Sequence, residues 1–332
     1  MQIYRSQSNW WKAILPILAL LFIVSCQKDI TGTDTNPVTP PDLTTKVTAR
    51  NVAGFVTNEN NQAVQGASVK IGTSTVTTDE YGYFQAANVL VVKQAATVTV
   101  TQPGYFKGIK TFIAEEGKNA FFRIKLIPKT IAGTVNAVSG GEVTTGTGVK
   151  INFPAASVVN ATTNAAYTGA INVAASWIDP TSRELSNIMP GDLRGIDENN
   201  SMKKLTTYGM VAVELTGAGG ELLQIAPGKK AGLTFPLPSS ILGTAPASIP
   251  LWSFDEEKGL WKQEGSATKT GNTYTGDVSH FSFWNCDVPA NYVQFNCTLH
   301  NGDGVPLRNT LVKISVISNP QNSAWGYTDS SG

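Results

Sequence analysis

Few residues in this chain could do chemistry, and their types and spacing narrow what that chemistry is. Its 332 residues include three cysteines and two histidines. Cys26 closes the tetrapeptide Ile23-Val24-Ser25-Cys26, directly behind a short apolar run, so a thiol stands where a leader would end. His280 and His300 belong to no His-x-x-Glu pair, and a zinc site needs about three protein ligands. Ser279-His280 suggests a nucleophile beside its base, but neighbours on a strand point to opposite faces, so His280 reads as structural or surface. Gly140-Gly141 and Gly217 to Gly220 lack a following Lys-Ser/Thr and a strand-to-helix setting; they are hairpin turns, not phosphate cradles. Asp192, Asp197 and Glu198 offer oxygen ligands, without the alternate-position spacing of a calcium loop. No carboxylate pair stands out for glycoside hydrolysis. The expectation is a non-enzyme with no catalytic residue, metal site or cofactor.

Two smaller groups keep alternatives open. Cys286 and Cys297 form a candidate disulfide in an oxidising compartment. The alternation Phe295-x-Cys297-x-Leu299 puts Cys297 on an apolar strand face, where a buried thiol acting as a small hydrophobe is the other reading. Trp177, Trp252, Trp261 and Trp284 fall in strands or beside hairpins. Buried, they would fill cores; exposed, Trp252 and Trp261 would stack on sugar rings. Phe254 and Leu260 lie beside them in sequence and favour packing.

Cys26 is given meaning by what precedes it. Arg5 and Lys12 make the first twelve residues basic, and Ala13 to Val24 is apolar apart from Pro16. That run is shorter than the roughly 20 residues a membrane span needs and suits the apolar part of a signal peptide, about 7–15 residues. Segment 1–25 with Cys26 resembles the leader of bacterial lipoproteins. The resemblance implies that 1–25 is removed and that Cys26 carries acyl chains such as palmitate. One such chain holds a protein to a membrane marginally, whereas two or more hold it firmly, at about 0.8 kcal/mol per buried CH₂. Gln27, in place of an aspartate, implies the outer membrane of a Gram-negative cell; Lys28-Asp29 faintly resembles a surface-export signal.

The elements behind these residues are strands. Charged residues make up 15% and net charge is +1, so nothing attracts nucleic acid. No second long apolar run follows the leader. Short alternating segments rich in Thr, Val, Gly, Asn and Ala imply an all-β chain of tandem β-sandwiches. Asp29 to Thr45, with Pro37, Pro40 and Pro41, reads as a disordered linker giving reach from the membrane. The expected organisation is leader 1–25, lipidated linker 26–46, first sandwich 47–128, second β-domain 129–288 and a last module 289–332.

Within the first unit, Gly54-Phe-Val-Thr-Asn58, Ala63-Val-Gln-Gly-Ala-Ser-Val-Lys-Ile71, Thr77-Thr-Asp-Glu-Tyr-Gly-Tyr-Phe84 and Pro103-Gly-Tyr105 follow one another. In that order they resemble the carboxypeptidase regulatory-like family, a small transthyretin-like sandwich. The resemblance implies an accessory module and no peptidase activity. Val312-Lys313-Ile314 repeats Val69-Lys70-Ile71, and Thr328-Asp-Ser-Ser-Gly332 repeats Thr78-Asp-Glu-Tyr-Gly82. The repeat stops there, so the last module is expected to be incomplete. The middle region carries Met189-Pro-Gly-Asp192, Phe235-Pro-Leu-Pro238, Trp252-Ser-Phe-Asp255, Gly259-Leu-Trp261 and Ser279-His-Phe-Ser-Phe-Trp284. It resembles the extracellular β-sandwich of cartilage intermediate layer proteins, which implies location more than chemistry. The reading is a lipid-anchored scaffold or interaction protein with a protein or glycan ligand. Alternatives are a carbohydrate-binding surface lipoprotein and an enzyme whose catalytic domain lies past Gly332. Oligomeric state is left open.

Overall fold

The computed structural model describes residues 40–332, so the leader and Cys26 lie outside the described residues. Of the segment expected to be disordered, residues 42–46 are ordered. The Asp42 carboxylate accepts from the Thr44 amide at 2.8 Å, and Leu43 packs beside Met202 and Leu260. The stretch is held by its backbone as well: the Lys93 amide donates to the Thr45 carbonyl at 2.8 Å, and Lys46 already pairs with Val92.

Seven strands build the first sandwich: β1 (Lys46–Thr57), β2 (Ser68–Ile71), β3 (Ser74–Thr77), β4 (Tyr83–Val92), β5 (Ala96–Thr101), β6 (Gly108–Phe112) and β7 (Asn119–Lys125). One sheet runs β4-β1-β7 and the other β3-β2-β5-β6. Alternation puts Val52, Val56, Val69, Ile71, Phe84, Val98, Val100 and Ile124 into the space between them, each at most 1% exposed. Burying a side chain of this size contributes about 1.5–3 kcal/mol. β1 pairs antiparallel with β4 and parallel with β7.

The second domain contains β8 (Ile131–Asn136), β9 (Gly141–Thr144), β10 (Lys150–Phe153), β11 (Val158–Asn160), β12 (Ala170–Ile178), β13 (Arg194–Ile196), β14 (Met202–Thr216), β15 (Leu222–Ile225), β16 (Ala231–Pro236), β17 (Ser248–Asp255), β18 (Leu260–Thr270), β19 (Thr273–Val278) and β20 (Phe283–Asn291). One layer runs β8-β12-β14-β20-β17-β18, and the β18–β19 hairpin carries the sheet into a second layer, β19-β16-β10-β9. β16 is flanked by β10 and β19. Pro236 is its last residue, where no ladder N–H is lost from the strand interior. The first layer is covered on both faces. Val211, Val213 and Trp284 face the core shared with the second layer. Met210, Ala212 and Trp252 face the other way.

The last module repeats the opening of the first. Asn58 Oδ1 accepts from the amides of Asn60 and Gln62, both at 2.9 Å; Asn301 Oδ1 accepts from Asp303 and Val305, at 3.0 and 2.8 Å. The Thr78 hydroxyl donates to the Val64 carbonyl, and Thr328 donates to Leu307. Gly82 and Gly332 both have positive φ, with a carbonyl (Val56, Leu299) where a Cβ would stand, so a side chain is excluded at each. The hairpin of β21 (Leu311–Val316) and β22 (Asn319–Tyr327) matches β2–β3 but forms a two-stranded sheet. Ile314 is 42% exposed there, against 0% for Ile71.

Candidate functional site

The residues that matter most are buried where the first sandwich meets the second domain. The loop after Pro103-Gly104 and strand β6 put Phe106 and Ile109 into one apolar cluster with Met189, Leu193, Trp252, Phe254 and Trp261. The Phe106 and Phe283 rings lie 6.3 Å apart. Gly191 donates its amide to the Ile109 carbonyl at 2.9 Å, and Thr111 donates its hydroxyl to Gly259 O at 2.6 Å. β6 therefore has no free face, which is why its burial shows no alternation.

Lys110 reaches across this junction. Its Nζ donates to the carbonyls of Ser186 and Met189, both at 2.7 Å. These lie in and just past the single helical turn Leu185–Ile188, where a cation complements outward-facing carbonyls. Burial pushes the amine down to about 7, with Asp192 opposing the shift. An amine tuned this far is what a nucleophilic lysine needs. Here two of its donors are committed to carbonyls and the residue is 5% exposed, so it fastens rather than reacts. Arg194 does the same from the other side. Its Nε donates to the Asp192 carboxylate at 2.8 Å, Nη2 lies 2.7 Å from the same oxygen as an ion pair, and Nη1 donates to Gln94 O at 2.7 Å in the first sandwich. At the rim, Lys107 pairs with Glu256 at 2.6 Å.

A second buried polar group lies between β14 and β20. Thr207 donates to Asn285 Oδ1 at 2.7 Å, and Asn285 Nδ2 donates to Asp287 Oδ2 at 2.6 Å. Asp287 is 0% exposed and its Oδ1 has no partner. Burial pushes its carboxyl up to about 8. Lys204, on the same strand as Thr207, is pushed down to about 8 by burial and donates to Leu205 O. Lys204 and Arg194 line a cleft of about 950 Å³ whose walls also include Tyr292, Phe121, Trp325 and Tyr327. None of Lys110, Arg194, Lys204 and Asp287 was singled out by sequence reasoning. The available signal was polar residues set inside continuous apolar runs, as in Phe283-Trp-Asn-Cys-Asp287.

The residues chosen from sequence are distributed differently. Trp252 and Trp261 are both 0% exposed. Their indoles donate to Asp287 O and Asp192 O, so they fill the junction and cannot stack on a sugar. Cys286 and Cys297 are both free. Cys286 points into the second domain's core, while Cys297 is exposed in a segment without strand pairing. The expected apolar strand face around Cys297 is open: Phe295 is 67% exposed. His280 lies in the bend before β20 and pairs with Glu264 at 3.0 Å; hydrogen bonds from His280 and Lys262 hold Glu264 down to about 2. Asp192 is engaged by Arg194, and Asp197 by Lys203 at 3.5 Å. Among the described residues no group of three or more His, Cys, Asp or Glu side chains is arranged to hold a metal.

These features can be set beside known proteins. No family model matches the chain. Cartilage intermediate layer protein 2 of Mus musculus is 28% identical over 161 residues, 47% of this chain and 14% of that protein. The Homo sapiens protein of that name is 29% identical over 110 residues, covering 32% and 9%. Cartilage intermediate layer protein 1 of Sus scrofa is 30% identical over 103 residues, covering 30% and 16%. The chain thus matches less than a fifth of the length of each of these relatives. Among solved structures, a Bacteroides fragilis protein described as membrane-associated and of unknown function aligns with 73% of this chain and 99% of its own, at 10% identity and TM-score 0.21. The Bacillus anthracis TIE protein aligns with 74% and 46%, at 11% identity and TM-score 0.21. Overlaps this slight bear on neither site nor function. The class defined by fold and sequence is an all-β chain of tandem sandwiches with partial similarity to cartilage intermediate layer proteins.

Proposed function

We propose that this chain is a non-catalytic scaffold of the cell envelope, held on a membrane by lipid on Cys26 and built to present β-sandwich modules in fixed relative orientation. The observation that carries the reading is the shared core: Phe106 and Ile109 of one module are buried with Trp252, Phe254 and Trp261 of the next. Modules meant to move meet through small, polar interfaces. This interface is apolar at its centre, fastened by Lys110 and Arg194, and rimmed by an ion pair. The first and last modules are assigned to the carboxypeptidase regulatory-like family on their sequence landmarks, supported by the hydrogen-bond skeleton the two modules share. Gln27 after Cys26 favours the outer membrane. With Trp252 and Trp261 buried, a carbohydrate-binding role has lost the residues that recommended it. The anchor is tested by Cys26→Ser, which should release the protein from membranes and abolish acyl labelling. Unchanged membrane association would sink the anchoring claim.

A further inference from the structure

We infer that the first sandwich is a load-bearing clamp, a mechanical role that rests on the anchored-scaffold reading. A protein tethered at its N-terminus and engaged by a partner further along is pulled along its chain. How a module resists depends on how its first and last strands are paired. In the first sandwich these are β1 and β7, side by side and parallel over seven register pairs, Asn51↔Asn119 to Thr57↔Lys125. Tension enters at the N-terminal end of β1 and leaves at the C-terminal end of β7. Because the strands are parallel, these points are at opposite ends of the pair. The pull therefore runs along the strands, across the ladder, and loads its hydrogen bonds together rather than in turn. The other edge of β1 is held by nine antiparallel pairs with β4.

Side chains reinforce the same seam. On the outer face the Phe55 and Phe121 rings are 6.1 Å apart, and the Arg123 guanidinium lies 5.5 Å from the Phe55 centroid and 5.9 Å from that of Phe121. On the inner face Val52, Val56 and Ile124 are buried together. Sliding β1 past β7 must break both sets of contacts with the ladder. The second domain is built the opposite way. Its first strand, β8, joins the sheet through β12, and the steps β8–β12, β12–β14 and β14–β20 are each antiparallel. β20 therefore runs opposite to β8, and the entry and exit points share one end. Tension there peels β8 from its N-terminal end, one bond at a time.

Single-molecule pulling on the full chain, with handles at its two ends, reads the difference. At about 3.3–3.6 Å per residue, the β1–β7 module releases roughly 27 nm and the β8–β20 domain roughly 55 nm. The shorter event should come at the higher force. Forced unfolding is governed by the barrier, so geometry can be changed without changing stability. Handles on Lys46→Cys and Lys118→Cys, both exposed and at the same end of the β1–β7 pair, unzip the same hydrogen bonds, and the high-force event should be lost. Equal force in the two geometries, or a first-module event at or below that of the second domain, would overturn the clamp. The handles replace the lipid, so a failed Cys26→Ser test would remove the anchor without touching this result, and the reverse holds.

Discussion

Phe106→Ala is the substitution that most cleanly separates docking from folding. Phe106 is 5% exposed, yet it belongs to the cluster at the junction and not to the first sandwich's own core. Removing a buried phenyl ring costs about 3–5 kcal/mol in lost transfer energy and cavity. Most of that cost should fall on the interface, because the residues between the two sheets of the first sandwich keep their neighbours. At about 1.4 kcal/mol per tenfold, the docked state should lose roughly two to three and a half orders of magnitude in population relative to the undocked one. No tryptophan falls between residues 40 and 128, so with Trp10, Trp11 and Trp325 replaced by Phe, intrinsic fluorescence follows the second domain and amide exchange follows the first. In that background the two probes should give coincident urea transitions. In Phe106→Ala they should separate, with exchange rising in β6 and around Met189 to Leu193 while β2 and β5 stay protected. A change under about 0.5 kcal/mol, with exchange unaltered at β6, would refute the idea that this ring joins the modules.

Buried titratable groups give opposite pH signatures. Lys110 is lowered from 10.5 to about 7 by burial. Between those values the unfolded chain binds the extra proton, so stability rises as pH climbs through that window; urea midpoints of Lys110→Met should lack this rise. Asp287 is raised from 3.8 to about 8 by burial. The folded chain holds its proton across that range, stability falls as pH climbs through it, and Asp287→Asn should remove the fall. Trp261→Ala should cost about 3–5 kcal/mol in stability and leave glycan-array signals unchanged; a specific loss of glycan binding at full stability would restore the stacking role. A maleimide should label Cys297 in the native protein and reach Cys286 only after denaturation; resistance of both until reduction would indicate the disulfide.

Much of the strand pattern was legible because one-sided strands announce themselves by period two. Phe122, Ile124 and Leu126 alternate with Arg123 and Lys125, as β7 and its extension do in the fold. The turn skeletons were legible too, since Asn58, Asp79 and Asp329 make local hydrogen bonds that need no distant partner; the matching turn at Asn301 emerged only in the fold. The junction was not. Strands covered on both faces lose alternation, and Gly108 to Phe112 gives no hint of which side meets another module. Lys110 and Arg194 look like solvent-facing charges until the carbonyls of Ser186, Met189 and Gln94 are brought to them by residues 76 to 100 positions away. For Trp252 and Trp261 the apolar neighbours Phe254 and Leu260 favoured packing, and both rings are buried; that the packing partner is a different module was not legible.

The central claim, that the two modules form one rigid body, is met most directly by a distance distribution. Spin labels on Lys70→Cys and Lys229→Cys, both exposed and on different modules, in a background with Cys26 and Cys297 changed to Ser, report the separation by double electron–electron resonance. One narrow distance is expected, broadening in Phe106→Ala. A broad distribution with the junction intact would contradict it.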